Sequence, residues 1–433
     1  MNLLEAQLHY PWDTTLPEIG RRLDLTADLA WLRMPLPFAL DHINLWLLRD
    51  CIEGQEGWTL VDCGASTDAI REAWEQLIAA APGQQGLDGL PIVRIICTHM
   101  HPDHLGLAAM LAKRFACSLW MTVGEYGLCR VLSQALPGAD GESAFEHYRS
   151  HGVMDAEKLA QLRKHGAFSF RSLVPEVPSR FRRIRDGEVL RIGNRNWQVI
   201  TGSGHSPEHA SLYSESLAFE GETLSQALAH PQSDRLMGQP ILISGDMVLP
   251  RISTNTSVWE IEPESNPVQW FVEGISRFRR CKAETLVLPS HGKPFEGLHT
   301  RIEQLRNHHA ERLDEVRRAC EQADCSAMDI VPVMFRRPLD THQISFALGE
   351  ALGHLHALWY AGELTRYRDQ QQVFRFRPSS GSVSRASVAG EAQAAQSQPA
   401  LSEAGEAQAA QSQPALSEAG EAQGTQGTQR TYC

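Results

Sequence analysis

Ile92-Val93-Arg94-Ile95-Ile96-Cys97-Thr98-His99-Met100-His101-Pro102-Asp103-His104 reads as an apolar strand that runs into a cluster of metal-binding side chains. In an extended segment side chains repeat every second residue, so His99 and His101 can point the same way and grip one cation. Asp103 and His104 lie just past Pro102, where the chain turns into the helical pattern Leu105 to Phe115, and can therefore aim elsewhere. Two differently directed pairs predict two metal ions.

The same arrangement recurs outward from this stretch. The β-like runs Trp58 to Val61, Trp197 to Thr201, Ile241 to Ser244 and Thr285 to Leu288 end on Asp62-Cys63-Gly64, Gly204-His205, Gly245-Asp246 and Ser290-His291-Gly292. Strands that carry polar residues into short loops are how an α/β enzyme assembles a site at one sheet edge. His205, Asp246 and His291 thus join the first cluster. Two sites follow: His99, His101 and His205 on one ion, Asp103, His104 and His291 on the other, with Asp246 bridging. Nitrogen and oxygen ligands without cysteine suit zinc best, with iron and manganese as compatible alternatives. A water held by two divalent ions loses its proton near neutral pH, so the expected chemistry is hydrolysis of an ester, thioester, amide or phosphodiester. Asp103 is the expected catalytic residue, fixing the second metal and accepting a hydrogen bond from the bridging hydroxide.

These residues resemble the metallo-β-lactamase superfamily. Its HxHxDH signature is matched by His99, His101, Asp103 and His104, and its later motifs by His205, Asp246 and His291, in the family's order. Asp62 matches the first motif, whose aspartate organises the site rather than ligating. The resemblance runs from about Leu32 to Gly297 and implies an αββα sandwich, an α/β fold with the dinuclear site between the edges of two sheets. The segment after residue 305 resembles the winged-helix module of the β-lactamase-like protein 2 branch, which is associated with endoribonuclease activity. The superfamily includes lactamases, glyoxalase II thioesterases, phosphodiesterases, nucleases and redox enzymes, so membership names no substrate. Secreted lactamases with this motif generally lack the bridging aspartate present here as Asp246. The basic glutathione-binding segment of glyoxalase II has no matching motif, and Asp246 to His291 is too short for a β-CASP insertion.

The 433 residues predict a catalytic domain over 1–304, a winged-helix-like domain over 305–377 and a disordered tail over 378–433. The helical spacing of Leu305, His309, Leu313, Val316 and Cys320, then of Ile344, Leu348, Leu352, Leu355 and Leu358, followed by two short strands, supports the middle assignment. In the tail a 15-residue unit, Ala389 to Glu403, repeats from Ala404 to Glu418 and is too poor in large apolar residues to offset its ordering entropy. The polar stretch Val123 to Arg185 is expected to wall the site, and 215–240 reads as an insertion. A net charge of −12 argues against nucleic-acid binding by bulk charge. Nine cysteines without a CxxC pair, no leader pattern and no long apolar run predict a cytoplasmic protein with reduced thiols and no membrane contact.

Around the site, His209 reads as a structural histidine and Asn255, Arg251 and Trp259 as residues near substrate, Trp259 also as a packing residue. Two basic clusters, Arg180, Arg182, Arg183 and Arg185, and Arg277, Arg279, Arg280 and Lys282, read first as solvated faces and second as phosphate sites. The sequence therefore predicts a dinuclear zinc hydrolase acting on an ester, thioester or related small molecule. The alternatives are a metal-dependent endoribonuclease or phosphodiesterase acting on RNA, and a nucleic-acid-binding regulatory protein.

Overall fold

The computed structural model describes residues 3–38, 40–215 and 238–380. Nearly all of the 215–240 insertion and the repeat tail from 381 onward lie outside the described residues.

Two sheets form the centre. The first runs in sequence order, β1 (Leu23–Asp24), β2 (Leu29–Pro35), β3 (His42–Ile52), β4 (Gln55–Val61), β5 (Ile92–Ile96), β6 (Ser118–Met121) and β7 (Arg182–Arg183). Its first four strands pair antiparallel, and β4 through β7 pair parallel. The second sheet comprises β8 (Val189–Ile192), β9 (Arg195–Gly202), β10 (His209–Ser214), β11 (Ile241–Gly245), β12 (Leu286–Pro289) and β13 (Phe295–Glu296), again in spatial sequence order. Among its described strands only β11 and β12 pair parallel.

Period-two alternation gives each sheet an inner face. Trp31, Trp46, Leu48, Val61 and Ile96 from the first sheet meet Val199, Leu212, Ile243 and Leu288 from the second in one buried cluster. The Trp31 and Trp46 rings stack with centroids 6.0 Å apart. Asn44 pins the layers together: its Oδ1 accepts from the Trp31 indole at 2.9 Å, and its amide donates to the carbonyls of Pro289 at 2.8 Å and Gly292 at 2.9 Å.

Helices cover both outer faces. Among those on the first are α1 (Asp68–Ala79), α2 (Pro102–Leu105) and α3 (Ala108–Phe115). Thr67 caps α1 by accepting from the Ile70 amide, and Ile70, Ala73, Trp74 and Leu77 form its buried stripe. Next come α4 (Val123–Gln134), α5 (Gly141–Ser150) and α6 (Ala156–Leu173). On the second sheet lie α7 (Pro267–Ser276) and the first half of α8 (Leu298–Gln322), through Phe271, Ile275, Leu298, Ile302 and Leu305. The result is an αββα sandwich, the expected α/β fold.

The remaining elements are α9 (Ala327–Met334), α10 (Thr341–Tyr360) and the hairpin β14 (Leu364–Arg368) and β15 (Phe374–Pro378). Cys325 bridges to Phe376 as a further strand position. Helix α8 runs unbroken through residues 304 and 305, where the sequence sets a boundary, because its first half buries against the sandwich and its second half, through Val316 and Cys320, against α9 and α10. The Val123–Arg185 stretch also departs from expectation. Ala144, Tyr148, Leu159 and Leu162 share one core with Ile330, Leu348 and Leu352, so α5 and α6 brace the C-terminal helices. Among the described residues no helix is long and apolar enough to cross a membrane.

Candidate metal centre

The strand ends deliver their side chains to one point. β5 ends at Ile96, and His99 and His101 follow in the loop before α2, whose first turn carries Asp103 and His104. His205 comes from the loop after β9, Asp246 from the end of β11 and His291 from the end of β12. The structure brings all seven together as two facing sets, His99, His101 and His205 in one and Asp103, His104 and His291 in the other, with a third grouping of His99, His104 and Asp246 between them.

Within the first set the His99 Nε2 lies 2.9 Å from His101 Nδ1 and 3.2 Å from His205 Nε2. In the second, Asp103 Oδ2 lies 3.6 Å from His104 Nε2 and 3.4 Å from His291 Nε2. Asp246 spans the two, with Oδ2 3.3 Å from His205 and Oδ1 3.6 Å and 3.4 Å from His104 and His291.

Each buried ring is oriented by its other nitrogen. The Nδ1–H of His104 donates to Asp62 Oδ2 at 2.8 Å, that of His205 to the Asn255 carbonyl at 2.9 Å and that of His291 to the His42 carbonyl at 2.8 Å. His99 donates from Nδ1 to Thr98 Oγ1 at 3.1 Å, and Thr98 in turn donates its hydroxyl and amide to Asp62. The four Nε2 atoms are thereby turned inward, the orientation that metal ligation requires. Asp62 sits in the left-handed region at φ 61°, where an aspartate is tolerated.

The residues fit divalent cations. His104 Nε2, His291 Nε2 and Asp246 Oδ1 are buried and have no hydrogen-bond partner. Such groups cost about 1–3 kcal/mol each when left alone, and a cation is the one partner all three can share. The charge balance is polarised across the site. Burial opposes protonation of His104 and His291, yet the carboxylates around them prevail and lift them to about 9 and about 10. Burial and neighbouring imidazoles hold His99 well below its ordinary value and His101 at about 3.

His209 lies beneath the site with Nε2 accepting from the Asp246 amide at 3.1 Å. Gly245, at φ 55°, permits this approach, since a Cβ there would stand 2.3 Å from that nitrogen. Asn255 is buried, and its side chain donates to Glu350 at 3.2 Å and accepts from Ser257 at 2.6 Å. Arg251 is exposed. The basic clusters are partly neutralised, with Arg182 paired to Glu188, Arg277 to Asp186, Arg279 to Glu303 and Lys282 to Glu215.

Sequence reasoning missed Glu125. It is buried, and its carboxylate accepts from the Met100 amide at 2.9 Å, the Ser206 hydroxyl at 2.6 Å and the Glu208 amide at 2.7 Å, tying the His99–His101 loop to the His205 loop. In sequence it looks like an ordinary acid in the first turn of a helix, which is where acids belong anyway. His42 and Glu350 were missed too, because what matters of His42 is its backbone carbonyl and Glu350 acts through Asn255.

A cavity of about 600 Å³ opens on the His101 and His205 side. Its walls come from the loop after β9, from 257–265 and from α7, with Trp259 and Trp270 among them. Among the described residues of the Val123–Arg185 stretch, Leu128 alone reaches this cavity, so the expected wall is supplied from elsewhere.

Residues 40–217 match the model of the metallo-beta-lactamase superfamily, and residues 313–379 match that of the metallo-beta-lactamase-like C-terminal domain. A beta-lactamase domain protein from Burkholderia ambifaria is 48% identical, with a TM-score of 0.76 over 87% of this chain and 100% of its own. A metallo-beta-lactamase family protein from Thermus thermophilus shares the fold at 24% identity, with a TM-score of 0.61 over 82% of this chain and 100% of its own. A curated hydroxyacylglutathione hydrolase from Idiomarina loihiensis is 36% identical over 50 residues, which is 12% of this chain and only 20% of that enzyme's length.

Proposed function

The chain belongs to the metallo-β-lactamase superfamily and is a hydrolase of that fold, and on this premise we propose that it is a cytoplasmic, dinuclear zinc enzyme that cleaves a small-molecule ester or thioester. One observation carries the reading: two facing sets of imidazoles and carboxylates whose inward atoms, His104 Nε2, His291 Nε2 and Asp246 Oδ1, are buried without a hydrogen bond. In this reading His99, His101 and His205 hold one ion, Asp103, His104 and His291 the other, and Asp246 touches both. Bound divalent ions would polarise the substrate carbonyl and activate water near neutral pH.

The chain's own groups prepare that chemistry. Asp62 and the carbonyls of Asn255 and His42 fix the ring planes of His104, His205 and His291, so no reorganisation is needed during reaction. Asp103 would help hold the second ion and accept a hydrogen bond from the activated water. Substrate enters from the His101 and His205 side, since the opposite set is almost fully buried. The cavity volume suits a small ligand. The thioester half of the proposal draws on the short match to a hydroxyacylglutathione hydrolase. The second half of α8, α9, α10 and the β14–β15 hairpin support reading the C-terminal unit as winged-helix-like.

Metal analysis of the purified full chain, followed by assay of the same sample on esters, thioesters, a phosphodiester and short RNA, tests this. About two equivalents of zinc and turnover of acyl substrates are expected, with Asp103→Ala losing metal and turnover together. Full activity in metal-stripped Asp103→Ala protein would refute the mechanism, and preferred cleavage of RNA would refute the substrate class.

A further inference from the structure

The cavity beside His101 and His205 sets large apolar side chains among small hydroxyl residues, with two carboxylates against one cation besides the histidines among the described residues. Resting on the hydrolase reading above, we propose that it selects an uncharged substrate whose acyl arm is an apolar chain or ring.

Two tryptophans, Trp259 and Trp270, line it with Met100, Leu128 and Ile261. Trp259 is braced edge-on by Phe346 at 5.4 Å, so its ring is a fixed apolar wall. Trp270 projects from α7, which the chain holds tightly against the loop after β9. Gly204 at φ 102° lies so close to α7 that a Cβ would meet the Pro267 carbonyl at 2.2 Å. The wall is therefore preformed.

The charges point the same way. Apart from the histidines, Arg277 is the one cation among the described residues that line the cavity. Its guanidinium already donates to the Thr201 carbonyl at 2.6 Å and to Asp186 at 2.7 Å. Two exposed carboxylates, Glu262 and Glu273, stand on the lining as well. A substrate arm ending in a carboxylate or phosphate would meet two like charges and a cation already engaged, which discriminates against it by repulsion. An apolar arm suffers no such repulsion and gains the transfer out of water of the surface it lays against Trp259 and Trp270.

The test is a series of acyl thioesters, butanoyl to octanoyl, and their ω-carboxy counterparts, assayed on the metal-replete full chain. We expect kcat/KM to rise about two- to fourfold per added methylene and to fall about tenfold or more when the chain ends in a carboxylate. Trp259→Ala and Trp270→Ala should each shrink the octanoyl-to-butanoyl ratio, with Trp→Phe at either position restoring most of it, and Glu262→Gln with Glu273→Gln should shrink the carboxylate penalty. A binding titration of octanamide and its ω-carboxy analogue on the same protein gives a readout independent of turnover, with octanamide binding more tightly. A flat length series, a preference for the carboxylate, or length dependence untouched by both tryptophan changes overturns the proposal. If no ester or thioester is turned over, the hydrolase reading falls, while the octanamide titration still decides the pocket.

Discussion

Asp62 joins the sheet to the metal centre through three donors, the Thr98 amide, the Thr98 hydroxyl and His104 Nδ1. Replacing it with Asn keeps a side chain that tolerates φ 61° but leaves one acceptor oxygen where there were two. Asp62→Asn should weaken metal binding about 10- to 100-fold with little change in Tm, as read by competition with a chelator beside a thermal melt. Glu125→Gln makes the converse case. An amide there keeps one oxygen for Ser206 and Glu208 but turns its N–H groups toward the Met100 amide, and the expected loss is about 1–3 kcal/mol in urea unfolding. At this scale the imidazoles and carboxylates were legible because they fall at strand ends in side-chain types that chemistry recognises. Their supports were not. The carbonyls of His42 and Asn255 do their orienting with backbone atoms that every residue has, and Glu125 lies 25 residues from Met100, whose amide it holds, in no pattern that sequence displays.

Helix α10 reaches the metal centre without touching it. Its Glu350 accepts from Asn255, whose carbonyl holds His205, so the C-terminal unit helps set a ring in the catalytic layer. Burial, opposed by Arg312 and the Asn255 amide, raises the Glu350 carboxyl from 4.5 to about 7. A carboxyl raised in the folded state favours folding fully below its unfolded value and loses that contribution as pH climbs through the folded one. The loss between pH 4.5 and 7 is about 3 kcal/mol. Glu350→Gln removes the titration, so its stability relative to the native chain should increase across that window, and a constant difference would exclude the effect. Elements were legible in kind more than in placement. The helical period of Leu305 to Cys320 and Leu348 to Leu358 is present as α8 and α10, but periodicity cannot tell which neighbour an apolar stripe faces. That is why α5 and α6 were expected over the site and are found against the C-terminal helices, and why residue 304 falls inside a helix.

The whole molecule couples two cores through α8, and the second core is rich in buried histidines. His147, His354 and His356 are each held at about 4, chiefly by burial. A histidine depressed in this way stabilises the fold above its ordinary value of 6.5 and withdraws that support as pH falls toward 4. Three such groups outweigh the opposite slope of Glu350, so the protein should lose stability on acidification from pH 6.5 to 4, and His354→Gln should blunt the drop in Tm measured across that range. The sandwich and its metal-binding edge could be read from one strand and its echoes, whereas the sharing of a core between distant segments could not, since contact between them is set by shape. That sharing also orders events during translation. Leu162 leaves the ribosome about 190 residues before Leu352, with which it shares a core. At about 5–20 residues per second the apolar faces of α5 and α6 stay uncovered for about 10–40 s, an interval in which they are open to non-native contacts.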